Sequence, residues 1–161
     1  MIIAKKVLLL RSGDRQDGET KTLSLANSRL SSMGRFQMSQ TYKKISHYIT
    51  IKDIVDIYCP HSKSAIESTE IIRDLFFNSG IRIRNIKKDE RLFSDPFHNY
   101  HPNWIKEELV SSTATAIIIV AHIELVRWFP KDLGKPQNYS KAGEGIFLNN
   151  GDIENIILDE S

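Results

Sequence analysis

Residues 114–121 are the sequence feature that most limits the fold. They are uniformly apolar and rich in β-branched side chains, which is typical of a strand that is buried on both faces of a parallel sheet. We therefore expect this segment to lie at the centre of the sheet. Residues 7–10, 54–58 and 81–86 also have the composition of strands. The last of these alternates between apolar and polar side chains, which indicates a strand with one wet face or an edge strand.

Segments with helical character separate these strands. One helix is expected to begin at Ser31 or Ser32 and another at Ser62 or Ser64, because serine caps the first turn of a helix. We expect the first helix to bury one face, formed by Gly34, Phe36, Met38, Tyr42 and Ile45. The alternation predicts an α/β three-layer sandwich, with a mostly parallel central sheet and helices on both faces.

Composition limits the classes of protein to which the chain can belong. Its 161 residues are 40% hydrophobic, which suits a single domain over residues 1–161. The net charge of +2 creates no field that would attract nucleic acid, so we expect no nucleic-acid partner. The apolar run before Arg11 is too short for a signal peptide or a membrane span, so we expect a cytoplasmic protein with no membrane partner. The histidines lack metal-ligand spacing, and we expect no metal and no cofactor.

Polar and charged residues follow three of the predicted strands. Arg11 and Ser12 follow the first strand, Lys63 comes shortly after the second, and His122 directly follows the central one. In open α/β sheets, ligands bind beyond the carboxyl ends of the strands, so these side chains are candidates for a ligand site. Two of these places also have a simpler interpretation. Residues 11–13 could form a turn that ends a strand, and His122 could be a structural histidine.

Four motifs that contain these residues occur in order along the chain. They are residues 8–14 (LLLRSGD), 30–37 (LSSMGRFQ), 58–69 (YCPHSKSAIEST) and 118–122 (IIVAH). Together they resemble the motifs of the histidine phosphatase superfamily, which includes phosphoglycerate mutases and bacterial phosphohistidine phosphatases. Ser12 stands where that family has the histidine of its Arg-His-Gly motif, and Ile123 stands where it has a small residue.

The resemblance implies a phosphoglycerate mutase-like fold and a phosphate pocket that contains Arg11 and His122. Counting from Pro60 puts Lys63 in the place of a second phosphate-binding arginine, whereas matching the family's alanine at residue 65 puts Ser64 there. We favour Lys63, which keeps the positive charge but not the planar fork of a guanidinium.

The resemblance also implies a general acid in the loop after the third strand. Asp89, Glu90 and Asp95 are the candidates in this chain, and Glu90 is our choice. Phe97 and Tyr100 lie in the same loop, where they could cover the pocket or simply pack on the core.

Ser12 decides which function we expect. In the family, the histidine at this position attacks phosphorus, and serine is a poor nucleophile unless a base takes its proton. We therefore expect an inactive domain that binds phosphate, a phosphorylated small molecule or a phosphoprotein. The alternatives are an active phosphatase for phosphomonoesters or phosphohistidine, or such an enzyme in which histidine was replaced deliberately. An unrelated nucleotide-binding domain is disfavoured, because no glycine-rich loop follows the first strand.

Overall fold

The computed structural model describes residues 5–16, 27–92, 103–122, 126, 129–130, 141–149 and 152–158. Strands and helices alternate through most of this part of the chain. In chain order they are β1 (Lys6–Arg11), α1 (Ser32–Ile45), β2 (Val55–Cys59), α2 (Lys63–Asn78), β3 (Ile83–Lys88), α3 (Asn103–Ser111), β4 (Ala116–Ala121), β5 (Gly145–Asn149) and β6 (Asp152–Ile156).

The strands form one six-stranded sheet in the order β3-β2-β4-β1-β5-β6. The pairs β1–β4, β2–β4 and β2–β3 are parallel, whereas β5 pairs antiparallel with both β1 and β6. Strand β4 therefore lies at the centre, and β3 lies at an edge, as the sequence predicts. The result is a mostly parallel sheet that ends in an antiparallel hairpin.

Both faces of the sheet are covered by helices. Leu8 and Ile118 face helices α1 and α2, whose buried side chains include Met38 and Phe76. The neighbouring residues of β1 and β4 point the other way and pack against Ile105 and Leu109 of α3. Because successive side chains of a strand point to opposite faces, the continuous apolar runs fill two cores at once. The predicted three-layer α/β sandwich is confirmed.

Helix α1 begins as the sequence predicts, but its buried face differs in one respect. Ser31 caps the helix, and its Oγ accepts a hydrogen bond from the backbone N–H of Gly34 at 2.9 Å. Phe36 is 48% exposed, so its predicted place in the core is wrong. The buried residues are Gly34, Met38, Thr41 and Ile45. At 100° per residue Phe36 falls on the opposite side of the helix from this stripe.

Candidate functional site

The carboxyl ends of β1 and β4 bring three of the predicted site residues together. The two strands are paired in parallel with Arg11 opposite Ala121, so that Ser12 and His122 are the next residues on neighbouring strands. The backbone N–H of Ser12 donates a hydrogen bond to the carbonyl oxygen of Ala121 at 3.0 Å. Ser12 and His122 are buried, at 5% and 7% exposure, and Arg11 is half-buried. The central pair of strands therefore holds a guanidinium, a hydroxyl and an imidazole at one edge.

The start of α2 joins the same site through Ser62. This residue is the N-cap of α2, and its Oγ lies 3.0 Å from Nε2 of His122, within hydrogen-bond distance. Ser62 is fully buried. The loop that follows β2 is thus held directly against the imidazole that follows β4.

The electrostatic surroundings of His122 oppose its protonation. Burial lowers the pKa of the imidazole, and the positive charges of Arg15 and then Arg11 lower it further, to about 4. His122 is therefore neutral at neutral pH. An anion placed among these groups would favour the imidazolium, because an opposite charge stabilises the protonated form.

The segment that follows Ser12 is fixed by close packing on α1 and α2. The backbone N–H of Gly13 donates to Oγ of Ser68 on α2 at 3.2 Å. A β-carbon on Gly13 would lie 2.5 Å from the carbonyl oxygen of Gly34, and one on Gly34 would overlap the carbonyl oxygen of Asp14. Both glycines are needed because the two stretches of backbone approach so closely.

Solved structures match this chain along nearly its whole length. A protein assigned as the phosphohistidine phosphatase SixA of Agrobacterium tumefaciens has a TM-score of 0.71 and 10% identity, covering 98% of this chain and 99% of that chain. The protein histidine phosphatase SixA complexed with tungstate has a TM-score of 0.67 and 12% identity, covering 93% of each. A phosphoglycerate mutase from Bacillus anthracis has a TM-score of 0.66 and 13% identity, covering 96% of this chain and 92% of that one.

This chain has the fold of the histidine phosphatase superfamily. The likeness lies in the fold, since no family model and no curated protein matches the sequence. The phosphoglycerate mutase-like fold that the four motifs imply is confirmed.

The two candidates for the predicted second phosphate ligand are the first two residues of α2. Lys63, the first residue of α2, is exposed, whereas Ser64 is fully buried. The backbone N–H of Ser64 donates to the carbonyl oxygen of Ser28 at 3.0 Å, and its Oγ has no hydrogen-bond partner among the residues described. Lys63 as the second phosphate ligand stays a prediction.

The candidate acids follow β3, at the edge of the histidine phosphatase fold. Glu90 is exposed in a short 3₁₀ turn (Glu90–Leu92), and strands β2 and β4 lie between β3 and β1. Asp89 is paired with Arg91, whose Nη2 lies 2.6 Å from Oδ2, and this bond lowers the pKa of the Asp89 carboxyl. Asp95, Phe97 and Tyr100 lie outside the described residues. The structure brings Arg11, Ser12 and His122 together at the ends of β1 and β4, and Glu90 as the general acid stays a prediction.

Two residues near His122 were missed by the sequence analysis as members of a site. The sequence predicts Ser62 only as a possible helix cap, and no pattern in it singles out Arg15. The signal for Ser62 was its place in the motif of residues 58–69. For Arg15 the only signal was its charge, four residues after Arg11.

Across the described residues, no three His, Cys, Asp or Glu side chains are grouped so that they could hold a metal ion. None of the described helices is long and apolar enough to cross a membrane. The predicted absence of a metal and of a cofactor stays a prediction.

Proposed function

We propose that this chain binds phosphate, or the phosphoryl group of a phosphorylated small molecule or protein, at the carboxyl edge of β1 and β4. The proposal rests on the register of β1 and β4, which sets Arg11 and Ser12 next to His122 where these two central strands end. A guanidinium donates two parallel hydrogen bonds to a phosphoryl group, and a protonated imidazole adds a third donor and a second charge. A structural neighbour with tungstate bound supports the same chemistry.

We further propose that the chain does not hydrolyse phosphate esters through a phosphoenzyme. A serine hydroxyl needs a base to take its proton as it attacks phosphorus. His122 is a base on the strand end beside Ser12, and its Nε2 lies 3.0 Å from the hydroxyl of Ser62. Burial and the charges of the two arginines lower the pKa of His122 to about 4, so that its imidazole is a weak base. This arrangement favours binding over turnover.

Anion binding tests the first half of the proposal. Isothermal titration with tungstate should give a saturable interaction for the wild-type protein, and Arg11→Gln should weaken it by roughly tenfold or more, since hydrogen bonds to charged groups are strong. Arg82→Gln is the matched control, because Arg82 is exposed near the opposite edge of the sheet. Equal affinities in wild type and Arg11→Gln would contradict a site at Arg11.

Phosphate release from p-nitrophenyl phosphate tests the second half. We expect no turnover by the wild-type protein above that of Arg11→Gln. In Ser12→His, a gain of turnover would show that the nucleophile was the missing part. Turnover by the wild-type protein that is lost in Ser12→Ala would make the protein an active serine-dependent phosphatase and contradict the proposal.

A further inference from the structure

We infer that Ser62 is a positioning residue of the site proposed above. Its hydroxyl donates to Nε2 of His122 and so holds the neutral imidazole in one orientation, with the imidazole proton on Nδ1. When the imidazole is charged beside a bound anion, the same hydroxyl rotates and accepts from Nε2. The inference rests on the proposed function, because His122 belongs to the proposed anion site.

Ser62 has the backbone of a helix cap, but its side chain does not cap the helix. Its φ of −104° and ψ of 143° are those of an extended N-cap residue, and its carbonyl oxygen accepts from the N–H of Ile66 at 3.0 Å. Its Oγ makes no capping bond to the first turn of α2. Ser31, the N-cap of α1, shows the usual arrangement, in which Oγ accepts from the N–H of Gly34. The hydroxyl of Ser62 is thus directed to His122 instead of to its own helix.

The proton of this hydroxyl has one acceptor in the part of the chain that the structure describes. Ser62 is fully buried, and among the described residues the only hydrogen-bond partner of its Oγ is Nε2 of His122, at 3.0 Å. A buried hydroxyl donates its proton wherever an acceptor is within reach. Nε2 therefore carries no proton when it accepts this bond. The neutral imidazole must then carry its proton on Nδ1.

The start of α2 is a rigid support for this hydroxyl. The N–H of Ser64 donates to the carbonyl oxygen of Ser28 at 3.0 Å. One turn later, Oγ of Ser68 donates to the carbonyl oxygen of Ser64 at 2.8 Å and accepts from the N–H of Gly13 at 3.2 Å. The first two turns of α2 are therefore attached both to residue 28 and to the segment that follows β1. A hydroxyl that is held in this way can fix the ring to which it bonds.

A hydroxyl suits this task because His122 changes its protonation state at the proposed site. It is both a donor and an acceptor, so it can donate to Nε2 of the neutral ring and accept from the N–H of the charged ring. The imidazole therefore keeps its place while a bound anion favours its protonation. Without Ser62, the ring would have to be ordered during binding, and that loss of freedom would lower the affinity.

The tautomer of His122 tests the first part of the inference. The ¹⁵N chemical shifts of its imidazole in the anion-free wild type at neutral pH should show the proton on Nδ1. Ser62→Ala should shift the population towards the Nε2–H form, because Nε2 loses its donor, whereas Ser62→Thr keeps the hydroxyl and should keep the wild-type tautomer. A proton on Nε2 in the wild type, or an unchanged tautomer in Ser62→Ala, would overturn the inference.

Tungstate titrations test the second part. We expect Ser62→Ala to lose roughly 3- to 10-fold in affinity, and Ser62→Thr to recover most of that loss. Thr69→Val is the matched control, because it removes another buried hydroxyl of α2 two turns further on, and it should stay within about twofold of wild type.

The titrations also separate this inference from the proposed function. If Ser62→Ala bound tungstate like wild type while Arg11→Gln lost binding, the role of Ser62 would be wrong and the proposed function would stand. A wild-type protein that binds no tungstate would remove the proposed function and the positioning role together.

Discussion

The surroundings of His122 favour the neutral imidazole as long as no anion is bound beside it. It is buried, its Nε2 lies beside the Ser62 hydroxyl, and the positive charges of two arginines lower its pKa. The sequence placed His122 correctly at the end of the central strand, because a continuous β-branched run followed by histidine is visible in the residues themselves. Its neutral state was not predictable, since that depends on burial and on the charge of Arg15, which are set by tertiary structure.

The lowered pKa of His122 should make the protein less stable in mild acid. The value is about 4 in the folded protein, against 6.5 for the free side chain. Between these values the unfolded chain binds more protons, so the free energy of unfolding falls as the pH falls through this range. From pH 7 to pH 5 the loss due to His122 should be about 2 kcal/mol.

Urea unfolding at the two pH values measures this effect in wild type and in His122→Gln. Other titrating groups contribute equally to the loss of stability in both proteins. The difference between the loss in the wild type and the loss in the variant is therefore due to His122. The variant should lose less stability on acidification than the wild type. Equal losses would mean that His122 has an ordinary pKa in the folded protein.

At the scale of elements, pattern and spacing predicted the four parallel strands and the residues at which α1 and α2 begin. The error at Phe36 arose because apolar residues two to four apart were accepted as one face, whereas the buried stripe of α1 follows spacings of four, three and four. Arg15 was missed for another reason. Its place near α2 depends on the bridge with Leu30, a long-range pairing that no local pattern encodes.

The contact between the loop after β1 and the start of α1 gives a prediction at this scale. Gly34→Ala should destabilise the protein by about 2 kcal/mol, because the added carbon overlaps the carbonyl oxygen of Asp14. Helix propensity alone would give the opposite sign, since alanine is favoured over glycine by about 1 kcal/mol. Urea unfolding measures the change.

Met33→Ala is the control for this substitution. Met33 precedes Gly34 on α1 and is 57% exposed. Its replacement should change stability by no more than about 0.5 kcal/mol. If Gly34→Ala proved stabilising, the close approach of the two segments would be contradicted.

At the scale of the whole molecule, the amino and carboxyl ends of the parallel strands carry different kinds of polar group. Near the amino ends of the strands, Arg84 donates two hydrogen bonds to the buried carboxylate of Asp56, at 3.0 and 2.7 Å. Burial would raise the pKa of Asp56, but the bonds and charge of Arg84 hold it below its usual value. Nζ of Lys6 pairs with Asp53 at 2.9 Å near the same edge. The carboxyl ends of the strands instead carry the candidate site, whose side chains suit an anion.

Because the ion pairs and the candidate site lie at opposite ends of the strands, we expect that stability and anion binding can be changed separately. Arg84→Met should lower the urea midpoint, because it leaves the Asp56 carboxylate buried without its partner. The same variant should keep its tungstate affinity within about twofold of wild type, since distant sites act independently. Arg82→Met is the matched control, with little effect on either quantity. A large loss of affinity in folded Arg84→Met would show that the two edges are coupled.

The most direct measurement is the position of tungsten in a crystal of the wild-type protein soaked in tungstate, located by anomalous diffraction. We expect a peak at the carboxyl edge of β1 and β4, with tungstate oxygens within hydrogen-bond distance of Arg11 and His122. A well-occupied tungstate elsewhere on the protein, with none at this edge, would contradict it.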